Sequence, residues 1–355
     1  MTFLRLLLYP FSLIYGLATI LRNYLYDKNI LRQNLFDMPI ISVGNLSVGG
    51  TGKTPQIEYL IRLLKDKYQV ATLSRGYKRK SKGFQVGDLF SSSSQMGDEP
   101  MQFQHKFKDI VIAVDENRFH GINELCHRYP KLQIVLLDDA FQHRSVKPGL
   151  SILLTDYYHP YFDDYLLLAG NLRETKSGAQ RADIIVVTKS PKVLSPFIRD
   201  SYKESLKPLP HQRLFFSYIR YGTIQPFDIE KAIVPKAKKV NTILLIAGIA
   251  DTYPLEDHLK QLCFELITLQ FSDHHQYTSK DIARITTMWN NIFTTNKLLL
   301  TTEKDAMRLK DPLIQELIVH LPLHYIPIEV EFHDRDKVLF DKQILEYAKK
   351  NRRDT

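Results

Sequence analysis

The 355-residue sequence is poor in cysteine, with only Cys126 and Cys263, which lie far apart in the chain. Two isolated cysteines form no CxxC pair, so the sequence indicates neither a disulfide scaffold nor a zinc knuckle. Internal repeats are also lacking. Hydrophobic residues make up 44% of the chain and charged residues 25%, which is typical of soluble globular domains with a substantial core.

The chain has an excess of positive charge, with a formal net charge of +9. Such a surplus indicates an acidic partner, which means nucleic acid, anionic lipid or a phosphorylated substrate. No basic block is interleaved with aromatic residues in the manner of a nucleic-acid-binding module, so we expect no nucleic-acid partner. Nothing in the sequence predicts an obligate protein partner.

The amino terminus is apolar, and Arg5 is the only charged side chain in residues 1–21. A secretory signal would need a small-residue cleavage site, which does not follow. A membrane-spanning helix is disfavoured by Arg5 and by the break at Pro10. The remaining alternatives are a buried core helix and a helix that lies on a membrane surface. We favour the surface helix, because basic residues follow the apolar segment and would lie near lipid headgroups.

Short apolar runs rich in valine, isoleucine and leucine alternate with amphipathic segments along most of the chain. This alternation predicts an α/β fold in which a parallel sheet is covered on both faces. A second set of runs begins near residue 200 and predicts a smaller α/β domain. We therefore predict a membrane-surface helix over residues 1–27, a nucleotide-binding domain over residues 28–200 and the smaller domain over residues 201–355.

The segment SVGGTGKT matches the P-loop pattern G-x-x-x-x-G-K-[ST] at its last three positions, whereas its first position is Ser47. In a P-loop, backbone N–H groups surround phosphate oxygens, the lysine reaches the terminal phosphates and the hydroxyl binds Mg²⁺. An apolar run precedes the segment and an amphipathic helix follows it, which favours a P-loop over a glycine-rich turn. The predicted ATP-binding residues are Ser47, Val48, Gly49, Gly50, Thr51, Gly52, Lys53 and Thr54.

Three further clusters carry candidate chemistry. The run QIVLLDD ends in Asp138 and Asp139, as in a Walker B strand, and predicts an Mg²⁺ site together with Thr54. The motif GDEP contains two adjacent carboxylates, Asp98 and Glu99, which act as a base or a metal ligand, or else cap a helix before the proline. The motif FSDHH fits an acid–base relay, although helix capping and ordinary packing are the alternative.

The motifs SVGNLSVGGTGKTP, LSRGY, GDEP, DENR, LLDDAFQHR, FSDHHQY and TTEKDA occur in this order from the first helix to about residue 310. In this order they resemble the tetraacyldisaccharide 4'-kinase family of lipid A biosynthesis. The resemblance implies two α/β domains with the active site in the cleft between them. It also implies transfer of the ATP γ-phosphate to the 4'-hydroxyl of a tetraacylated glucosamine disaccharide 1-phosphate. The implied location is peripheral, on the cytoplasmic face of the inner membrane.

The resemblance also implies roles for individual residues. Asp98 matches the base that takes the hydroxyl proton, and His274 matches the partner that tunes this base. Lys53 and Thr54 match the residues that hold the phosphates and Mg²⁺, and Asp138 and Asp139 match the catalytic and metal-binding pair. Glu99 is a further candidate metal ligand because of its place beside Asp98 in GDEP. The candidate substrate contacts in the cleft are Arg75, Arg118, Gln142 and His143.

The main rival is a membrane-associated P-loop switch that hydrolyses ATP or GTP. Partitioning-type ATPases carry a lysine early in the loop, where this chain has Val48. GTPases carry an NKxD-like motif, and VVTKSP is a poor version of it. A binding module with an inactive P-loop is disfavoured by the intact Lys53, Thr54 and aspartate pair.

Overall fold

The computed structural model describes residues 8–88, 91–228, 239–273 and 275–351. The strands in chain order are β1 (Ile40–Asn45), β2 (Val70–Ser74), β3 (Gln85–Val86), β4 (Val111–Val114), β5 (Ile134–Asp138), β6 (Leu150–Asp156), β7 (Ile184–Thr188), β8 (Arg213–Tyr221), β9 (Gln225–Pro226), β10 (Val240–Ala247), β11 (Cys263–Gln270), β12 (Lys297–Thr302), β13 (Leu323–Ile326) and β14 (Ile328–Phe332).

The helices in chain order are α1 (Tyr9–Asp27), α2 (Lys53–Leu64), α3 (Ser93–Met96), α4 (Asp98–Lys106), α5 (Arg118–Arg128), α6 (Pro196–Leu206), α7 (Tyr253–Lys260), α8 (Ser279–Asn290), α9 (Glu303–Leu309), α10 (Pro312–Ile318) and α11 (Asp334–Lys350). Two short 3₁₀ helices, Tyr161–Asp163 and Lys176–Arg181, lie between β6 and β7.

The larger sheet has nine strands in the order β14-β8-β7-β6-β1-β5-β2-β4-β3. The seven strands from β8 to β4 are parallel, and antiparallel β14 and β3 form the two edges. Strands β1, β2, β5, β6 and β7 are buried along their whole length. This is the pattern that helices on both faces of a parallel sheet impose, and it confirms the predicted α/β class.

The smaller sheet has five strands in the order β11-β10-β12-β13-β9, all parallel except β9. Helix α8 covers one face of this sheet through Ile285 and Trp289, which share a buried cluster with Leu244, Ile246 and Leu299. The chain therefore contains a second α/β unit, as predicted.

The division of the chain between the two sheets differs from the predicted boundary at residue 200. Strand β8 continues the larger sheet beside β7, and β14 pairs with β8 after the chain returns from the smaller sheet. The chain leaves the larger sheet after β8 and returns to it before β14. These two connecting segments lie side by side, and the Gly222 N–H donates to the Pro327 carbonyl at 2.9 Å between them. The smaller sheet is thus an insertion between β8 and β14. Hydrophobic runs predict strands, but they do not say which sheet a strand joins.

Helix α1 rests on the larger unit through its small residues and exposes its apolar ones. Ser12 and Gly16 are its buried residues, and the Ser12 hydroxyl donates to the Leu166 carbonyl at 3.1 Å. On the outer face, Ile14 is 65% exposed and Leu17 is 67% exposed. Helix α1 therefore lies on the outside of the larger unit and is not a buried core helix. Among the residues that the structure describes, no helix is both long and apolar enough to cross a membrane.

Candidate active site

The P-loop occupies the connection between β1 and α2, at the centre of the larger sheet. Gly49 and Gly52 have φ angles of 104° and 85°, values at which any side chain would strain the backbone. Gly52 precedes the first residue of α2, so Lys53 and Thr54 form the start of that helix. Free N–H groups and the positive end of the helix dipole make this position suited to an anion.

Side chains from neighbouring strands hold the loop in place. The Asn45 amide donates to the Thr51 hydroxyl at 2.8 Å, and the Thr188 hydroxyl donates to the Thr51 carbonyl at 2.9 Å. The Val48 N–H donates to the Asn171 carbonyl at 2.8 Å. These hydrogen bonds order the loop without a bound nucleotide, so less conformational entropy is lost when a nucleotide binds.

Lys53 and Asp139 face each other above the loop. The Lys53 Nζ lies 3.3 Å from Asn45 Oδ1 and 3.6 Å from Asp139 Oδ1. The Arg173 guanidinium donates to both Asp139 oxygens at 3.0 Å. Burial favours the neutral form of Asp139, but Lys53 and Arg173 outweigh it and lower the pKa of this carboxyl below its ordinary value. Asp139 is thus an anion held between two cations.

Asp138 has a different environment, although it is the adjacent residue. Its side chain is buried, and Oδ2 accepts a hydrogen bond from the Ser74 hydroxyl at 3.4 Å. Its Oδ1 is buried and has no hydrogen-bond partner among the described residues. Burial raises the pKa of Asp138 to about 7, and the nearby charges of Asp139 and Glu99 add to this effect. A buried carboxylate oxygen without a donor is a natural ligand for a cation.

The donor set fits Mg²⁺, which prefers carboxylate and hydroxyl oxygens and keeps several sites for phosphate and water. Asp138 and the hydroxyl of Thr54 have this chemistry at the loop. Within the described ranges, no group of three or more histidine, cysteine, aspartate or glutamate residues is arranged to hold a metal ion. A P-loop site does not need such a group, because the nucleotide phosphates supply part of the coordination.

The GDEP carboxylates reach across to the smaller unit. Helix α4 begins at Asp98 and its N-cap is Gly97, so neither carboxylate occupies the capping position. The Arg308 Nε donates to Asp98 Oδ2 at 2.8 Å. The Lys304 Nζ lies 3.6 Å from Glu99 Oε1. Both cations belong to α9, which follows β12 of the smaller sheet.

The FSDHH segment lies next to the same helix. Gly248 lies between this segment and α9. A side chain at Gly248 would put its Cβ atom 2.9 Å from Asp305 Oδ1 of α9, and 3.4 Å from both the Ser272 carbonyl and the His275 Cβ. The His275 Nε2 contacts Asp281 Oδ2 at 3.0 Å. His274 lies outside the described residues, and its role as the partner of the base stays a prediction.

Two of the predicted substrate contacts are arginines. Arg118 is buried, and it donates to the backbone carbonyls of Asp115 at 2.6 Å and Asp138 at 3.2 Å. Burial lowers its pKa to about 10. Its guanidinium therefore supports the end of β5. Arg75 is exposed directly after β2. Its positive charge lowers the pKa of both Arg118 and His143.

The other two predicted contacts follow the aspartate pair. The Gln142 amide donates to the Asn45 carbonyl at 2.8 Å and to Glu174 Oε1 at 3.1 Å. Burial lowers the pKa of His143 to about 4, and Arg118 and Arg75 add to the effect. His143 is thus a neutral imidazole at pH 7.

Arg173 and Arg308 hold Asp139 and Asp98, and neither arginine is among the site residues predicted from the sequence. Arg173 stands in an irregular segment after Gly170, where no pattern distinguishes it from a surface arginine. Arg308 is the second residue after the TTEKDA motif, which was the available signal, but its partner lies 210 residues away.

Comparisons with known proteins match this chain over nearly its whole length. The family model described as Tetraacyldisaccharide-1-P 4'-kinase matches residues 4–348. A Flavobacterium johnsoniae protein named tetraacyldisaccharide 4'-kinase is 48% identical over 351 residues, 99% of each chain. A Bacteroides thetaiotaomicron protein of the same name is 44% identical, covering 98% of this chain and 94% of its own. The crystal structure of the "apo" form of LpxK from Aquifex aeolicus in complex with ATP has a TM-score of 0.73 at 31% identity, over 97% of this chain and 99% of that one.

Proposed function

The chain belongs to the tetraacyldisaccharide-1-P 4'-kinase family, and we propose that its P-loop, its aspartate pair and Asp98 carry out the transfer for which that family is named. It is an ATP-dependent kinase that phosphorylates the 4'-position of the lipid A precursor, a tetraacylated glucosamine disaccharide 1-phosphate. The observation that carries this conclusion is the family match over residues 4–348. The rival switch function is not favoured by it.

In this proposal the P-loop holds the ATP phosphates. The glycine-rich loop and the N-terminus of α2 would hold the phosphate chain, and Lys53 would neutralise charge on the γ-phosphate. Lys53 is placed for this role by Asn45 and Asp139. When phosphate oxygens compete for the lysine, Arg173 remains to compensate the Asp139 carboxylate.

Thr54 and Asp138 would hold Mg²⁺, with Asp139 and Glu99 as further candidate ligands. When bound, the ion supplies positive charge that stabilises the phosphoryl group in flight. The buried, unpartnered Asp138 Oδ1 supports this assignment. The negative charges of Asp139 and Glu99 both raise the pKa of Asp138, which supports including these two carboxylates among the candidates.

Asp98 is the proposed base. A sugar hydroxyl has a very high pKa, so its proton must leave as its oxygen bonds to the γ-phosphorus and the bond from that phosphorus to ADP breaks. A positioned carboxylate accepts this proton. The Asp98 side chain is 14% exposed at the junction of the two units. His274 is the proposed partner that tunes this base, as the family resemblance implies.

Arg75, Arg118, Gln142 and His143 are the proposed contacts to the disaccharide. Arg75 is exposed and cationic, which suits a phosphate or a sugar hydroxyl at the mouth of the site. The neutral His143 offers a hydrogen-bond donor and an acceptor without adding charge. Arg118 would act indirectly, since its hydrogen bonds hold the strand end that carries Asp138.

We also propose that α1 lies on the membrane that contains the lipid substrate, at the cytoplasmic face of the inner membrane. Its outer face presents apolar side chains that no part of the described chain covers: Phe11, Leu13, Ile14, Leu17, Ile20, Leu21 and Tyr24. Such a face is suited to the boundary between headgroups and acyl chains. The net charge of +9 favours an anionic leaflet.

The test of the reaction is transfer of labelled γ-phosphate from ATP to a tetraacyl disaccharide 1-phosphate in detergent micelles. We expect label on the lipid with the wild-type protein and none with Lys53→Ala, because that change removes the cation nearest to the transferred group. Label on the lipid at the wild-type rate with Lys53→Ala would contradict the P-loop assignment. Steady ATP hydrolysis without labelled lipid would support the switch instead.

A further inference from the structure

Arg308 makes a buried ion pair that joins the two α/β units at the proposed base. Its side chain is 2% exposed, and its Nε donates to Asp98 Oδ2 at 2.8 Å. Its Nη1 donates to Asp305 Oδ1 at 2.8 Å and to the Gly248 carbonyl at 3.1 Å. One planar guanidinium thus bonds to the larger unit through one nitrogen and to the smaller unit through another.

The direction of the guanidinium is fixed by residues of the smaller unit. Asp305 is fully buried, and its Oδ2 accepts hydrogen bonds from the Gly248 N–H at 2.9 Å and the Thr302 hydroxyl at 2.7 Å. Asp305 therefore has a single orientation, and Arg308 takes its own orientation from it. Burial alone would lower the pKa of Arg308, but Asp98 and Asp305 raise it above its ordinary value, so the group stays charged.

Asp98 belongs to a part of the molecule that is rich in carboxylates. Glu99 is its neighbour in α4, and the charges of Glu99 and Asp139 act on Asp138. Arg308 is the cation that pairs with Asp98, whose side chain is 14% exposed.

We propose that Arg308 is a positioning residue for the phosphoryl transfer: it holds the Asp98 carboxylate in the orientation that accepts the proton of the acceptor hydroxyl. The inference rests on the proposed role of Asp98 as the base. Since Arg308 belongs to the smaller unit, the base takes its working orientation only when the two units are packed together. The alternative is that the ion pair only stabilises the contact between the two units and does not orient Asp98 for the reaction.

A double-mutant cycle on the full chain separates the two explanations. The variants are Arg308→Gln, Arg308→Lys, Asp98→Asn and the double variant Asp98→Asn/Arg308→Gln, assayed for kcat and for KM toward ATP with saturating lipid. We expect Arg308→Gln to lower kcat by about 10- to 100-fold with little change in KM, because a small misplacement of a reacting group costs this much. Arg308→Lys should recover part of the loss, since it keeps the charge but not the fork.

The decisive comparison is the double variant. If Arg308 acts through Asp98, Arg308→Gln should cost nothing further in the Asp98→Asn background, because the group it orients is gone. A loss by the same factor in both backgrounds would overturn the proposal. An Asp98→Asn variant with wild-type kcat would instead contradict the base assignment itself, so the two failures are distinguishable.

Lys106→Gln is the matched control for loss of contact between the units. Lys106 stands two turns from Asp98 on α4, and its Nζ pairs with Glu303 of α9 at 2.6 Å. We expect Lys106→Gln to lower the melting temperature while leaving kcat within about twofold of wild type, the scatter of changes away from the chemistry. A fall in kcat equal to that of Arg308→Gln would show that packing, and not positioning, explains the loss. Should Arg308→Gln not fold, the same cycle with Arg308→Lys decides the question.

Discussion

The outer face of α1 gives a prediction about membrane binding whose size follows from exposure. Ile14→Ala and Leu17→Ala each remove three carbon atoms, worth about 0.8 kcal/mol apiece when fully transferred out of water. Both side chains are about two-thirds exposed, so each change should cost about 1.6 kcal/mol of membrane binding. Together they amount to about 3 kcal/mol, which corresponds to roughly a hundredfold weaker partition. Alanine preserves the helix, because it has the highest helix propensity.

The assay is co-sedimentation with vesicles of phosphatidylethanolamine and phosphatidylglycerol, with the bound fraction measured against lipid concentration. Activity in micelles serves as a second reading, and we expect it to be preserved because neither side chain contacts the site. The matched control is Phe264→Ala/Phe293→Ala, which removes two larger side chains, 78% and 94% exposed, from the smaller unit. Equal loss of binding in the control, or wild-type binding by Ile14→Ala/Leu17→Ala, would show that the protein does not bind membranes through this face of α1.

Three further predictions concern the site and its support. Asp138→Asn should lower kcat by at least about a hundredfold and weaken the dependence of the rate on Mg²⁺ concentration, as measured by magnesium titration. Thr188→Val should raise KM for ATP, because it leaves the buried Thr51 carbonyl without its hydroxyl donor and loosens the P-loop. Burial raises the pKa of Glu303 from 4.5 to about 7, so its contribution to stability is complete below pH 4.5 and lost as the pH rises to 7. The free energy of unfolding of the wild-type protein should therefore fall by about 3 kcal/mol between pH 4.5 and pH 7, and Glu303→Gln should not show this fall. Thermal melts at several pH values measure it, and the same pH dependence in both proteins would contradict the prediction.

Local patterns predicted the elements that need only local information. The buried parallel strands were predictable because a strand covered on both faces is apolar along its length, as in β1 and β5. The P-loop was predictable because its glycines are required by backbone angles within the segment itself. The aspartate pair followed from its place directly after a buried run.

Long-range pairing was beyond such patterns. Ile328 of β14 pairs with Tyr221 of β8, which lies 107 positions earlier in the chain. No local sequence pattern predicts this pairing. The pairing of Arg308 with Asp98 likewise depends on how two separately folded units meet. The same applies to the contrast between Asp138 and Asp139, whose opposite pKa shifts arise from burial and from Lys53 and Arg173.

The insertion of the smaller sheet between β8 and β14 has a consequence for biosynthesis. Phe332 of β14 and Phe340 of α11 pack against Tyr59 of the P-loop helix, with ring centroids 5.0 and 5.9 Å from it. The ribosome synthesises these two phenylalanines only after the entire inserted unit. Some 270 further residues are therefore added after the P-loop helix before the aromatic side chains that pack on it are present. Domains that fold during synthesis usually complete from the amino terminus. Here the nucleotide-binding unit, begun first, is finished last, and a chain cut before residue 328 would leave that helix with an uncovered apolar face.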